Sequence, residues 1–227
     1  MTSSSPSLTR VSRFGFVNVY LVAEDDGLTV VDTGLPGSAK AIIKRAAELG
    51  APIRRIALTH AHGDHIGSLD ALAAAVPDAE VLISTRDERL LRKDRSMDPG
   101  EPDDKLRGGY PGAKTRPTRT FEAGERIGSL EVVATPGHTP GHVAFLDTRD
   151  RTLLCGDVYT TINGVATSSQ VNWRFPLAAT ATWSRALDLE SARVCRALEP
   201  ARLAPGHGKV VENPVAAMDR AIARAAG

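Results

Sequence analysis

Short apolar runs, cut by turns rich in Gly, Pro and Asp, pattern this chain of 227 residues. Phe16–Ala23 and Leu28–Val31 are β-rich runs on either side of Glu24-Asp25-Asp26-Gly27, whose Asp-Gly pair predicts a tight hairpin. From Ser38 to about Leu49, Ala41, Ile42, Ala46 and Leu49 share one helical face while Lys40, Lys44, Arg45 and Glu48 lie elsewhere, and Gly50 stops the helix. Ile53–Leu58 reads as a buried strand. Leu69, Leu72, Ala73 and Val76 make a second amphipathic helix, roughly Gly67–Ala75. A strand at Glu80–Ser84 and a short helix at Thr85–Arg92 follow. Further on, the pattern predicts strands at Arg126–Ile127, Leu130–Ala134, His142–Asp147, Thr152–Cys155 and Arg202–Ala204. It also predicts a helix from about Ala178 to Leu198 and a last one over Asn213–Ala226, with Asn213 as N-cap and Pro214 at its first position.

Two stretches break the pattern. Residues 93–120 are rich in charge, Gly and Pro, the mark of an insertion that compact domains use as a lid or leave mobile. If it is a lid, Met97 and Tyr110 supply its apolar contacts with a ligand. Residues 158–175 are also irregular, and hold Tyr159, Trp173 and Phe175 in a chain only 4% aromatic. Around these stretches, strands and helices alternate in two sets, 16–92 and 121–226. The class is α/β, and layer logic permits two sheets packed face to face with helices outside. One domain over 1–227 is expected, with the polar residues 1–12 frayed.

Composition narrows the partners. Lys plus Arg number 28 against 27 for Asp plus Glu, a net charge of +1 that gives no bulk preference for nucleic acid or an anionic membrane. Met1-Thr2-Ser3-Ser4-Ser5-Pro6-Ser7 has no basic segment leading into an apolar core, so it does not read as a signal peptide. No run reaches the ~18 apolar residues of a membrane helix. The expectation is a cytoplasmic protein acting on a small molecule, with assembly into a homo-oligomer left open. Cys155 and Cys195 make no disulfide framework and read as buried thiols.

Histidine adds the chemistry. Of the six in the chain, His60, His62 and His65 fall in Thr59-His60-Ala61-His62-Gly63-Asp64-His65, directly after the Ile53–Leu58 strand. His138 and His142 lie in Pro136-Gly137-His138-Thr139-Pro140-Gly141-His142, and His207 in Pro205-Gly206-His207-Gly208. Residues two apart in extended backbone point the same way, so His60 and His62 can aim at one ion. Asp64 and His65, at a helix start, reach a second point a few ångströms away. Loops at the ends of rigid strands present ligands in this manner.

These motifs, with Val31-Asp32-Thr33-Gly34 and Gly156-Asp157 in the same order, resemble the metallo-β-lactamase superfamily, in its dinuclear branch of glyoxalase II-like and lactonase-like hydrolases. The resemblance implies an αββα sandwich of two mixed β-sheets flanked by helices. It implies two Zn2+ per chain, with Fe or Mn as substitutes. His60, His62 and His138 would hold the first ion, Asp64, His65 and His207 the second, and Asp157 would bridge them. A hydroxide between the ions would attack the substrate, with Asp64 as a proton carrier for the leaving group. Asp32 is implied as a buried carboxylate supporting the metal loops, and His142 reads as packed or supporting.

Carrying Asp64, His65, Asp157 and His207 together resembles thioesterases, lactonases and phosphodiesterases rather than antibiotic-degrading members. Only about twenty residues follow His207, so the C-terminal helical extension by which glyoxalase II grips glutathione is not expected. Lactonases of this fold place a Tyr three residues beyond the bridging Asp. Here Tyr159 is two beyond, and is the candidate to reach a substrate carbonyl through a shifted loop. Tyr159, Trp173 and Phe175 are expected in the pocket wall. The leading expectation is a dinuclear zinc hydrolase of a small carboxylic ester, lactone or thioester. A mononuclear iron enzyme resembling persulfide dioxygenases, with His60, His138 and Asp157 as its triad, is the alternative. Phosphodiesterase or β-lactamase activity on the same fold comes third.

Overall fold

The computed structural model describes residues 7–173 and 175–227. In chain order the first half runs β1 (Leu8–Arg13), β2 (Val17–Glu24), β3 (Gly27–Val31), α1 (Ala39–Leu49), β4 (Ile53–Ala57), α2 (Gly63–Ile66), α3 (Leu69–Ala75), β5 (Glu80–Ser84), α4 (Thr85–Leu91) and β6 (Arg119–Phe121). The second half runs β7 (Arg126–Ile127), β8 (Leu130–Ala134), β9 (Val143–Asp147), β10 (Thr152–Thr160), β11 (Ala166–Thr167), α5 (Leu177–Ala181), α6 (Arg185–Ala197), β12 (Arg202–His207), β13 (Val211–Glu212) and α7 (Val215–Ala226). β2 and β3 form the expected hairpin, with Glu24 opposite Gly27. β3, β4, β5 and β6 are parallel neighbours, joined through helices and the long 92–118 segment, because parallel strands need crossover connections.

The strands lie in the order β6-β5-β4-β3-β2 in one half and β12-β10-β9-β8-β7 in the other, and a single residue pair, His207 with Val17, joins β12 to β2. The two halves pack on each other across that seam. Tyr20, Val22, Val31, Ala57, Leu82 and Phe121 of the first meet Val132, Phe145, Leu154 and Ala204 of the second in one buried cluster. Neighbouring residues turn to the opposite faces, as the strand period of two requires. Ile83 joins Ile42, Leu69 and Leu72 under the first helical layer, and Leu146 and Leu153 join Ala192, Cys195 and Met218 under the second. Burial on both faces explains why these strands are continuous apolar runs. The result is the αββα sandwich, its two sheets hydrogen-bonded at the seam.

Several boundaries differ from expectation. Of the fraying expected over 1–12, residues 1–6 lie outside the described residues, and the expectation does not hold at Leu8–Arg13, which pairs in register with β2, Leu8 opposite Val22 and Arg13 opposite Val17. Its polar residues Thr9, Arg10 and Ser12 hid the strand. Arg119 and Thr120 of the expected insertion belong to β6. The rest, 92–118, has no helix or strand but is pinned by Ala113 N–H to Leu91 O, Thr115 N–H to Asp70 and the Arg86–Glu101 ion pair. β10 runs on to Thr160, past the expected end at Cys155. The helix expected over 178–198 is broken at 182–184, where the N–H groups of Trp183 and Ser184 donate to His138 O and Gly137 O. Both cysteines are free and buried. No helix among the described residues is long and apolar enough to cross a membrane.

Phe145 is fully buried between the sheets and stacks edge-on against Phe121 at 5.8 Å. Phe145→Ala is expected to cost about 3–5 kcal/mol, read as a lower denaturant midpoint. An unchanged midpoint would contradict the packing described.

Candidate metal centre

Every candidate ligand sits just past or within a strand at the seam. β4 delivers His60, His62 and, through α2, Asp64 and His65; the β8–β9 loop delivers His138; β10 contributes Asp157; β12 ends in His207. Donor atoms of His60, His62 and His138 fall within 4.8 Å of one another, as do those of Asp64, His65 and His207, and those of His60, His65 and Asp157. Asp157 lies between the groups. Its Oδ2 is 3.4 Å from His138 Nε2 and 3.1 Å from His207 Nε2, while Oδ1 is 3.3 Å from His65 Nε2. Gly206 makes this approach feasible, because a Cβ there would sit 2.3 Å from Asp157 Oδ1.

Hydrogen bonds at the far side of each ring fix which nitrogen is bare. Arg107 O, 3.0 Å from His62 Nε2, can only accept, so Nε2 carries the proton and Nδ1 faces inward. Thr182 Oγ1 donates to backbone carbonyls and so accepts from His138 Nδ1, leaving His138 Nε2 bare. Thr59 Oγ1 donates to Asp32 and accepts from His60 Nδ1, leaving His60 Nε2 buried without a partner. His62 Nδ1 and His138 Nε2 thus point lone pairs at each other across 3.0 Å. A cation between them removes that repulsion. These residues fit a divalent metal: neutral imidazoles and carboxylates with their partners behind them.

Charge divides the same way. Burial drives His60 and His138 well below the usual imidazole range, so both stay neutral. Burial also opposes a proton on His65, but Asp157 and Asp32 outweigh it and raise this group well above its usual value. His207 follows, lifted to about 9 by Asp157 and Asp64 against its burial. Burial works against the charged forms of Asp157 and Asp64, yet the neighbouring histidines hold both carboxylates low. A proton therefore stands where the second cation would sit.

Asp32 accepts from His65 Nδ1 at 2.8 Å and from Thr59 N–H at 2.8 Å, so it aims His65 and anchors the start of the loop. His142 uses both ring nitrogens: Asp157 N–H donates to Nε2 at 3.0 Å and Nδ1 meets Thr135 Oγ1 at 2.8 Å. It holds the Asp157 backbone and has no nitrogen for an ion. Gly156, at φ +49, brings β10 so near that a Cβ would lie 2.5 Å from His142 Nε2.

Sequence reasoning missed Asp87. This fully buried carboxylate of α4 accepts from Ala61 N–H, Thr139 Oγ1 and Gly141 N–H at 3.0, 2.7 and 2.8 Å. It ties the His60–His65 loop to the His138 loop. Burial lifts its carboxyl to about 6, with those hydrogen bonds opposing. Charged residues are commonplace in a helix's first turn, and nothing in the spacing marks this one.

The pocket expectations need correction. Tyr159 is fully buried against α6 and donates to Ala192 O at 2.7 Å, because a register shift between Gly156 and Thr160 interrupts the alternation that would have put it on Asp157's face. It cannot reach a substrate. Trp173 is 93% exposed on a separate groove of about 720 Å³ that it shares with Arg220 and Arg224. Tyr110 stacks on His62, centroids 4.7 Å apart, and packs into the first helical core rather than the cavity. Met97 lies against Arg86 and outside the cavity lining. Phe175 does line the cleft over the metal cluster, a cavity of about 650 Å³. Phe14, Phe16, Leu35 and Leu177, overlooked in the sequence, line it too, together with Gly108 and Gly109 of the long segment.

Known proteins bear on this geometry. Residues 12–207 match the family model described as the metallo-beta-lactamase superfamily. The uncharacterized protein YobT of Bacillus subtilis (strain 168) is 47% identical over 210 residues, covering 92% of this chain and 90% of that one. YflN of the same organism, a probable metallo-hydrolase, is 28% identical over 84% of this chain and 80% of its own. A hydroxyacylglutathione hydrolase of Synechococcus sp. is 34% identical over 61% of this chain, an alignment spanning 47% of that protein. The fold is similar to the crystal structure of BLEG-1 B3 metallo-beta-lactamase, with TM-score 0.67 and 24% identity over 92% of this chain and 95% of that one.

Two outcomes follow from the centre as described. Metal uptake by the metal-free protein must displace the protons of His65 and His207, whose values are raised in its absence. Apparent affinity should therefore rise with pH from neutrality towards about 9, with protons released on binding. Calorimetry in buffers of different ionisation enthalpy reads this, and uptake without proton release would contradict it. Asp87→Ala strands the N–H groups of Ala61 and Gly141 at about 1–3 kcal/mol each, and loosens metal binding by roughly 10–100-fold. Thermal unfolding and chelator competition measure both; unchanged values would remove Asp87 from the framework.

Proposed function

The chain belongs to the metallo-β-lactamase superfamily, and from that premise we propose that it is a dinuclear, zinc-dependent hydrolase of a small carboxylic ester, lactone or thioester. The observation that carries this reading is Asp157, one buried carboxylate within 3.4 Å of nitrogens from His65, His138 and His207. Two oxygens on one carbon suit a bridge between neighbouring ions. His60, His62 and His138 would hold one ion and Asp64, His65 and His207 the other, with Asp157 shared. Bound ions of this kind supply Lewis acidity, bringing the pKa of water from ~15.7 to ~7 and polarising a substrate carbonyl.

The protein's own groups do the rest. Asp32 and Thr182 hold His65 and His138 in the tautomer whose free nitrogen faces the centre. His142 fixes the backbone of Asp157, and the Arg107 carbonyl fixes His62. Asp64 is half-exposed at the cleft wall, 3.2 Å from His207 Nε2. From there its carboxylate could take up the proton lost by the attacking water and hand it to a departing alkoxide or thiolate. Gly108 and Gly109 of the long segment line the cleft over these groups.

A screen of lactones, thioesters, aryl esters, phosphodiesters and β-lactams, run with metal-depleted and zinc-restored protein, tests the proposal. Zinc-dependent cleavage of carboxylic esters or thioesters is expected. Asp157→Ala should lower kcat/KM by roughly a hundredfold or more, beyond the ~10–100-fold of an outer ligand partner. Near-normal rates in that variant would refute the bridge. Activity restored by iron alone, with thiol-dependent oxygen uptake, would replace the hydrolase reading with the persulfide dioxygenase-like one.

A further inference from the structure

The cleft over the metal cluster has largely apolar walls around its imidazoles and carboxylates. Besides the candidate ligands and glycines, its described wall is formed by Phe14, Phe16, Leu35, Phe175 and Leu177 with neighbouring Val and Ala residues. Thr180 is the one other polar side chain in that wall, and its hydroxyl already donates to Leu177 O at 2.9 Å. No Lys or Arg lines the cleft among the described residues. Arg13, outside that lining, lies over the Phe14 ring, 5.3 Å from its centroid.

Two of the wall residues are exposed in a way that folding does not require. Phe14 is 72% exposed and Leu177 61%, the one in the β1–β2 turn and the other at the start of α5, and both line the cleft. Phe14 sits at φ 53 in a turn with Gly15 at φ 79, an uncommon backbone for a bulky aromatic residue. The turn lifts the ring out of the β1–β2 hairpin and sets it above the cleft. Below it, Phe16 and Phe175 pack edge to face at 5.8 Å, and Phe175 lies 5.0 Å from the His207 ring. An apolar floor thus runs from the metal cluster out to an apolar mouth.

We propose, resting on the hydrolase reading above, that the substrate is an uncharged ester or lactone bearing an apolar arm of several carbons or an aryl ring. The arm lies along Phe16 and Phe175, and Phe14 and Leu177 close on it at the mouth. A substrate with an anionic arm would lose its hydration there and find no cation in exchange among the described wall residues. This sets the chain apart from an enzyme selecting a charged thioester or a carboxylated lactam.

The test is a homologous series of neutral straight-chain esters and lactones, with a matched series ending in a carboxylate. Each added methylene that the cleft buries should raise kcat/KM about fourfold, the equivalent of ~0.8 kcal/mol, and a terminal carboxylate should abolish the gain. Phe14→Ser and Leu177→Ser should flatten the series. As a readout independent of turnover, metal-free protein should bind the neutral dye Nile red, and the same variants should weaken it. Trp173→Ser, on the separate groove, should leave both readouts unchanged. Hydrolysis with no chain-length dependence, or faster cleavage of the carboxylate series, would overturn the apolar-arm assignment while leaving the hydrolase reading intact. Dye binding that depends on Phe14 and Leu177 in a protein that cleaves no ester would do the reverse. Dye binding lost only in Trp173→Ser would also overturn the assignment.

Discussion

Lone pairs crowded into a dry interior govern this molecule. His60, His62, His65, His138, His207 and Asp157 are all buried, and their inward atoms approach one another with too few protons to share. Bare donors at such distances repel, and burial denies them water. Only positive charge at the centre relieves the conflict. In the metal-free chain, protons on His65 and His207 supply part of it. Divalent ions would supply the rest, at the price of those protons.

The sandwich exists, in functional terms, to hold that conflict in place. Its two sheets meet at the narrow pairing of His207 with Val17, and the strand ends on both sides of that seam deliver the donors. A ring of neutral or singly charged partners then fixes each one from behind. Asp32 serves β3 and β4, Asp87 joins two loops from opposite halves, and His142 braces β10. The break between α5 and α6 belongs to the same framework, since it frees Trp183 and Ser184 to bond the His138 loop. Rigid backing of this kind lets loops carry precise geometry.

Much of this was legible in the sequence. The strands buried on both faces were continuous apolar runs, and Asp25-Asp26-Gly27 marked the hairpin. His60-x-His62-x-Asp64-His65 told its own story, because histidine occurs nowhere outside the glycine-rich turns. What stayed hidden depended on three-dimensional facing. Tyr159 follows Asp157 by two, yet the strand is interrupted at Gly156 with a shift in register, and its ring ended in the core. Trp173 and Phe175 are also two apart and part company, one to solvent and one to the cleft. Phe14 and Phe16 lie far from any ligand in sequence, and only the seam between β2 and β12 brings them to the centre. Asp87 gave no signal, since its meaning lies in which backbone N–H groups arrive beside it.

The proposed hydrolase requires two cations that share Asp157. Anomalous scattering at the zinc edge from crystals of the zinc-loaded protein tests it most directly. Two peaks are expected to flank the Asp157 carboxylate, one on the side of His60, His62 and His138 and the other on the side of Asp64, His65 and His207. A single peak, or ions bound away from Asp157, would contradict it.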